Sequence, residues 1–436
     1  MKFDKLIQIF KIRDLRKKIL FVLFIFVVFR LLANVPIPGI DKTNLEDFFA
    51  RFQVFGLMNI FSGGTLSNIS IVMLGLGPYI TAIIIMQLLT MIFPALERLY
   101  KEEGEAGRQK FNQYARILTV PLAFLQAYAM LTLLQKQNAI TIASPIALFA
   151  SIITVTAGSL LLMWLGELIT EKGIGNGVSL LIFAGIISRI PANILQTIFN
   201  WDPAKIPYYV LFFGAAVFII FGVVVVTEAR RNIPISYAKR VRGIRMYGGT
   251  STYLPMSVNP AGVIPIIFAL SILMFPGMIA SFLVNVGGTI GNIAQNVSDF
   301  LNNKAIWGSL YFVLVFAFTY FYTMVTFDPK AISQNLQKMG GFIPGIRPGA
   351  STAKYLAKIL HRVLFVGALF LGLIAVMPYI IQGVTRITTF RFLIGGTSVL
   401  IVVSVVLDTI KQINAQLQMS CLLYTSDAAD ECLGVD

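Results

Sequence analysis

With 436 residues, 57% hydrophobic and 13% charged side chains and a mean hydropathy of +0.79, the chain is too apolar for a soluble domain, about a quarter of which is charged. A polytopic membrane protein is the class that fits. The formal net charge of +15 then reads first as orientation in the bilayer, with ribosomal RNA or anionic lipid as a second use of some cations. Cys421, Cys432 and the single His361 carry no metal-ligand spacing and no readable disulfide framework.

In residues 1–18, Phe3, Leu6, Ile7 and Phe10 recur at helical spacing among lysines and arginines, which predicts an amphipathic interfacial helix. The apolar run after it ends FRLLANVPIPGID without a small-x-small cleavage site, so it is expected to stay as a span. Residues 55–68, FGLMNIFSGGTLSN, are apolar but too short to cross and are broken by Gly63-Gly64. Backbone that enters hydrocarbon without crossing it must be buried in protein or line a watery cavity. This short piece, leading into the Gly- and Pro-containing run 69–93, therefore points to a pore or central cavity.

Ten stretches reach spanning length: 19–35, 69–93, 113–134, 146–168, 178–198, 206–227, 260–284, 305–327, 359–381 and 390–410. With both termini in the cytoplasm, twenty-six lysines and arginines fall on cytoplasmic segments against eight outside, and Arg30 near the outer end of the first span can snorkel. Five spans per half, 19–198 and 206–410, invert the second half relative to the first. No letter-by-letter repeat accompanies that symmetry.

Two cytoplasmic connections stand out. Residues 228–259 alternate around Ile233–Tyr237 and cluster Arg240, Arg242 and Arg245, predicting a protruding basic hairpin. Residues 328–358 are bent by Gly340-Gly341, Pro344, Gly345 and Pro348, with Arg347 near the bend. Topology needs far fewer charges than these loops hold, so both read as a docking surface rather than solvated loops.

No enzyme motif survives inspection. GIGNG (173–177) joins two membrane helices instead of following a strand, and there is no Walker, HExxH or GxSxG pattern. Glu97, Glu102, Glu103 and Glu105 alternate with cations as a solvated loop does. Carboxylates such as Glu167, Glu228, Asp328 and Asp408 sit at span ends, where an ion-coupled transporter would want them near mid-depth. Backbone carbonyls can bind Na⁺ in their place, so a solute transporter stays open at this point.

The residues VPIPGID (35–41), NIFSGGTLS (59–67), PYI with IIMQLLT (78–80, 84–90), EGEAGRQK (103–110), MWLGELITEKGIGNG (163–177), VNPAGVIPIIF (258–268), FIPGIRPG (342–349), TAKYL (352–356) and FLIGGTSVLIVV (392–403) resemble the bacterial SecY family of protein-conducting channels, from about residue 10 to residue 412. The resemblance implies an all-α polytopic fold of ten transmembrane helices in two inverted five-helix halves around an hourglass pore with a re-entrant plug. It implies a channel, not an enzyme, in the plasma (inner) membrane. Such a channel passes unfolded secretory proteins and releases transmembrane segments sideways into lipid.

By the same resemblance the plug falls on 56–68, with Gly56, Leu57, Met58, Asn59, Ile60, Phe61, Ser62, Gly63, Gly64 and Thr65 at its centre. The apolar pore ring maps to Leu76, Ile80, Ile182, Ile186, Ile267 and Ile401. Branched alkyl groups at a narrow waist exclude water and part around a passing chain without demanding a particular hydrogen bond. Thr81, Gln87, Gln126 and Phe275 map to a lateral gate between spans two and three on one side and seven and eight on the other. Arg240, Arg242 and Arg347 match the contact sites for the motor ATPase SecA and the ribosome. SecE and SecG are the implied membrane subunits, signal peptides, nascent chains and lipids the other partners, and no cofactor is implied. Residues 419–436, acidic and holding both cysteines, depart from the basic tail of the family and read as an artefact without function.

Overall fold

The computed structural model describes residues 12–38, 40–42, 65–66, 68–136, 139–142, 144–199, 206–237, 240–242, 245–247, 251–283, 288–385 and 396–433. In chain order these form α1 (Arg13–Asn34), β1 (Ile40–Lys42), α2 (Gly77–Ile92), α3 (Pro94–Lys101), α4 (Gly104–Lys136), β2 (Ile140–Ile142), α5 (Pro145–Lys172), α6 (Gly177–Phe199) and α7 (Ile206–Glu228). There follow β3 (Arg230–Tyr237), β4 (Arg240–Arg242), β5 (Arg245–Tyr247), β6 (Ser251–Ser257), α8 (Ile264–Leu283), α9 (Gly288–Asn302), α10 (Lys304–Thr326), α11 (Pro329–Lys338), β7 (Gly341–Phe342), α12 (Ala350–Thr385) and α13 (Gly396–Leu433).

Among the described residues, five stretches are long and apolar enough to cross a membrane: Gly104–Gln135, Pro145–Lys172, Ala305–Lys338, Ala350–Met377 and Ser398–Met419. Helices α2 and α3, bent by 115° at Phe93, make a sixth if taken as one span. Gly177–Pro191, Phe213–Glu228 and Ile264–Leu273 are shorter apolar helices. Large apolar side chains stay exposed along them, such as Ile117, Phe218 and Val366, as lipid-facing surface requires. The chain is a multi-pass membrane protein.

The chain divides into two compact units, residues 1–201 with 274–302 and 405–436, and residues 202–273 with 303–404. In the first unit the expected helix over 69–93 begins only at Gly77. Residues 68–76 instead run as successive turns, with Met73 N–H bonded to Ser70 O (2.9 Å) and Gly75 N–H to Val72 O (2.9 Å). Pro78 explains the start, because proline lacks the N–H that an interior helical position needs but fits the first turn. The turns pack against the C-terminal end of α4 and the N-terminal half of α5. There Leu66, Ile69, Met73 and Leu74 join Leu131, Leu134, Ile140 and Val155 in one apolar cluster, closed by the β1–β2 pairing of Ile40 with Ile142.

At the other end of this unit, α5 passes to α6 through the GIGNG turn. Gly173 N–H caps Ile169 O (2.8 Å), Gly175 takes φ +91, which favours glycine, and Asn176 Oδ1 accepts from Ser179 N–H (3.2 Å) to start α6. The motif is a helix-to-helix connector. Ile174 in the turn packs with Leu15 of α1 and Leu417 of α13.

In the second unit, β3 pairs antiparallel with β6, Ile233 opposite Leu254, and with β7, Ser236 opposite Phe342. The predicted hairpin over 228–259 is thus a strand pair, and the loop before α12 adds a third strand to it. Alternation puts Ile233 and Ile235 inward, and Ile233 packs against Met256, Ile343, Leu356 and Leu360. The single His361 is exposed at the α10–α12 seam and stacks on Tyr320 at 6.4 Å, beside the Phe316–Phe365 edge contact at 6.0 Å.

Candidate functional site: the broken second span and the basic loops

The chain approaching α2 is tied to the end of α1. Pro36 and Ser70 form an isolated antiparallel bridge, Ile37 N–H donates to Ile69 O and Ile71 N–H to Val35 O, both at 3.0 Å. Buried Thr65 donates its hydroxyl to Met73 O (3.3 Å), while Ser70 donates N–H (3.1 Å) and hydroxyl (3.2 Å) to Thr65 O. Ile69, a buried β-branched residue at φ 46, is strained by about 1–3 kcal/mol, and these surrounding bonds over-determine its backbone. Of the ten plug candidates, Thr65 lies within the described residues. Gly56, Leu57, Met58, Asn59, Ile60, Phe61, Ser62, Gly63 and Gly64 lie outside the described residues.

Leu76 and Ile80 sit one turn apart at the head of α2, where Ile80 N–H donates to Leu76 O (3.0 Å). Ile182 and Ile186 repeat that spacing on α6, so each pair shares a helix face. These four belong to the first unit; Ile267 on α8 and Ile401 on α13 belong to the second. Leu76, Ile182, Ile186 and Ile401 are buried within the chain, whereas Ile80 and Ile267 keep part of their surface.

Among the gate candidates, Thr81 donates its hydroxyl back to Gly77 O (2.9 Å). Gln87 holds a buried side-chain carbonyl oxygen that finds no donor among the described residues. Gln126 on α4 is half-buried, and Phe275 lies on α8 with its side chain outside the described part.

On the loops, Arg240 and Arg242 share one face of β4, and the register sets Arg242 opposite Arg245. Arg347 is exposed on a turn held from behind by Thr352 Oγ1 donating to its carbonyl (3.0 Å) and Ser333 Oγ donating to Gly349 O (2.7 Å). Asp328 caps the adjacent α11, accepting from Lys330 N–H (2.8 Å) and Ala331 N–H (3.3 Å). Arg347 therefore projects from a turn whose backbone is fixed on both sides.

One cluster escaped the sequence reading, which left Glu167 at a span end. Glu167 Oε1 accepts from Arg116 Nε (2.6 Å) and from the hydroxyl of buried Tyr79 (3.4 Å), joining α5, α4 and α2. Arg116 and Glu167 are each visible as charges in apolar helices. Their meeting, and Tyr79 88 residues away from Glu167, have no local signal.

A helical membrane protein with a sharply bent apolar helix pair and a strand platform is the class these features define. A family model described as SecY matches residues 70–410, and the chain belongs to the SecY family. Among curated relatives, the protein translocase subunit SecY of Corynebacterium glutamicum is 43% identical over 435 residues, covering 95% of this chain and 98% of that one. That of Thermotoga maritima is 42% identical over 421 residues, covering 94% of each. The fold is similar to a solved protein-conducting channel at TM-score 0.63 and to canine Sec61 in a ribosome–channel complex at TM-score 0.60, each at 20% identity over 91% of both chains.

Proposed function

We propose that the chain forms a protein-conducting channel that passes unfolded secretory proteins across the plasma membrane and releases apolar segments sideways into lipid. The observation that carries this reading is the SecY match over 70–410 on a fold similar to a protein-conducting channel. Ten spans in two inverted halves, with both termini cytoplasmic, enclose the path. Leu76, Ile80, Ile182, Ile186, Ile267 and Ile401 form its dry waist, and residues 56–68 plug it. All six ring candidates are aliphatic, so closure by dewetting needs no specific bond, and the substrate's sequence does not matter.

The seam lined by Thr81, Gln87, Gln126 and Phe275 opens toward lipid. Polar contacts there are worth about 0.6–2 kcal/mol each, small enough for an apolar signal helix to displace. Arg240, Arg242 and Arg347 receive the partner that supplies energy, the ribosome or the SecA motor, with SecE and SecG as membrane companions. A structure of Sec61 with the ribosome and one of idle yeast Ssh1 bound to the 80S ribosome support ribosome docking by analogy of fold.

The test is a stalled secretory chain with a photoreactive residue placed in turn at Ile80, Ile182 and Ile401 of the channel. Crosslinks from all three are expected. Crosslinks to lipid alone, or solute-gradient-driven uptake by the purified chain, would overturn the reading.

A further inference from the structure

Helix α2 is jointed at both ends, by the turns over 68–76 before it and by the 115° bend after it. A 16-residue rod held this way needs side-chain contacts to fix its rotation about its own axis. Thr81 and Thr90 direct their hydroxyls to carbonyls of α2 itself, whereas Tyr79 reaches across to Glu167 of α5. At 3.6 residues per turn, Leu76 and Ile80 lie about 60° and 100° around α2 from Tyr79, on the same side. Met86, Ile83 and Leu89 pack against Phe111 and Ala115 of α4 toward the far end of the helix, so Tyr79 is the cross-helix polar tie at the end that carries this pair.

Glu167 is suited to that role only while its carboxyl group is held in place. A carboxylate among apolar helices is costly unless paired, and Arg116 Nε supplies the pair at 2.6 Å on the same oxygen that accepts from Tyr79. Arg116 is half-exposed and Glu167 largely covered, at 47% and 20% side-chain exposure, so the anion is the more enclosed member of the pair.

We propose that Arg116 and Glu167 are positioning residues for the channel seal: the ion pair holds the Glu167 carboxylate against the Tyr79 hydroxyl, and this fixes the facing of Leu76 and Ile80. The inference rests on the reading of those two as part of the seal. It needs no contact of Arg116 or Glu167 with the translocating chain. Loss of either bond lets α2 roll, which loosens the seal without removing a ring side chain.

The experiment uses the full chain in its native membrane complex, with Tyr79→Phe, Glu167→Leu, the double variant, Arg116→Glu, and the charge exchange Arg116→Glu with Glu167→Arg. The readouts are ion leak, export of a reporter with a crippled signal sequence, and abundance in the membrane. Tyr79→Phe, at unchanged abundance, and Glu167→Leu, which removes both acceptor oxygens, should each raise leak and crippled-reporter export about fivefold, the population shift one hydrogen bond supports. The double variant should add nothing, and the charge exchange should restore part of the closure lost in Arg116→Glu alone. If Glu167→Leu fails to accumulate, Tyr79→Phe, which deletes one hydroxyl, decides alone. Unchanged leak and stringency in Tyr79→Phe, or additive effects in the double variant, overturn the inference. Ile80→Asn run in parallel separates the two levels: if it loosens the seal and Tyr79→Phe does not, only the positioning role fails; if neither does, the seal itself has been misassigned.

Discussion

Gly158 of α5 lies directly against the carbonyl of Ile71, so closely that a Cβ at Gly158 would overlap Ile71 O and crowd Ile71 C and Val72 N. All three are backbone atoms of the turn run that leads into α2, and that run is itself fixed by Ile71 N–H bonding to Val35 O. Neither side can yield cheaply. Gly158→Ala should therefore destabilise the first unit by about 1–3 kcal/mol, and Gly158→Leu by more, read as lower abundance and a lower Tm of the purified complex. Gly214→Ala, where nothing lies within 4 Å of an added Cβ, is the matched control and should accumulate normally.

The ring candidates should separate by burial. Ile401 is 2% exposed, so Ile401→Asn carries a desolvation cost on the order of 1–3 kcal/mol in addition to any loss of closure. Ile80 keeps part of its surface, so Ile80→Asn should cost less stability. Both should raise ion leak and relax signal-sequence stringency, with abundance falling more for Ile401→Asn. Bilayer conductance and immunoblotting of membranes distinguish the two effects.

Arg347 offers a cleaner separation of surface from scaffold. Its side chain is exposed, while its carbonyl accepts from buried Thr352. Arg347→Glu should impair partner-driven export strongly and leave abundance unchanged, because no buried contact is lost. Thr352→Val should do the reverse, destabilising the turn by about 1 kcal/mol through a carbonyl left without its donor. Export assays in membrane vesicles with added motor or ribosomes, set beside thermal melts, check both.

Apolar runs and turn residues are local, and they made the long apolar helices and the strand pair over 228–259 legible. The start of α2 was partly legible too. Pro78 marks a first helical turn, but a hydropathy window runs through Gly75 and Gly77 without registering that the backbone has changed state. The two-residue strand Gly341–Phe342 had no alternation long enough to notice, and it exists only because β3 offers an edge at Ser236 and Tyr237. The partners of Glu167 were missed for a related reason: position along a span says nothing about a hydroxyl on another helix.

The tip of the basic hairpin makes stability and function oppose each other. In the β4–β5 register Arg242 stands opposite Arg245, and like charges directly across an antiparallel pair are destabilising. Arg242→Thr removes that repulsion and adds a strand-favouring residue, so the hairpin should gain about 0.2–1 kcal/mol. The same change deletes a cation from the proposed docking surface. Ribosome affinity should fall, and because a phosphate contact releases condensed counterion, the slope of log affinity against log salt should shrink by about one. Hydrogen exchange over 240–247 and a salt titration of ribosome binding measure the two halves of this prediction. A tighter hairpin with undiminished, equally salt-dependent binding would remove Arg242 from the docking surface while leaving Arg240 and Arg347 to be tested the same way.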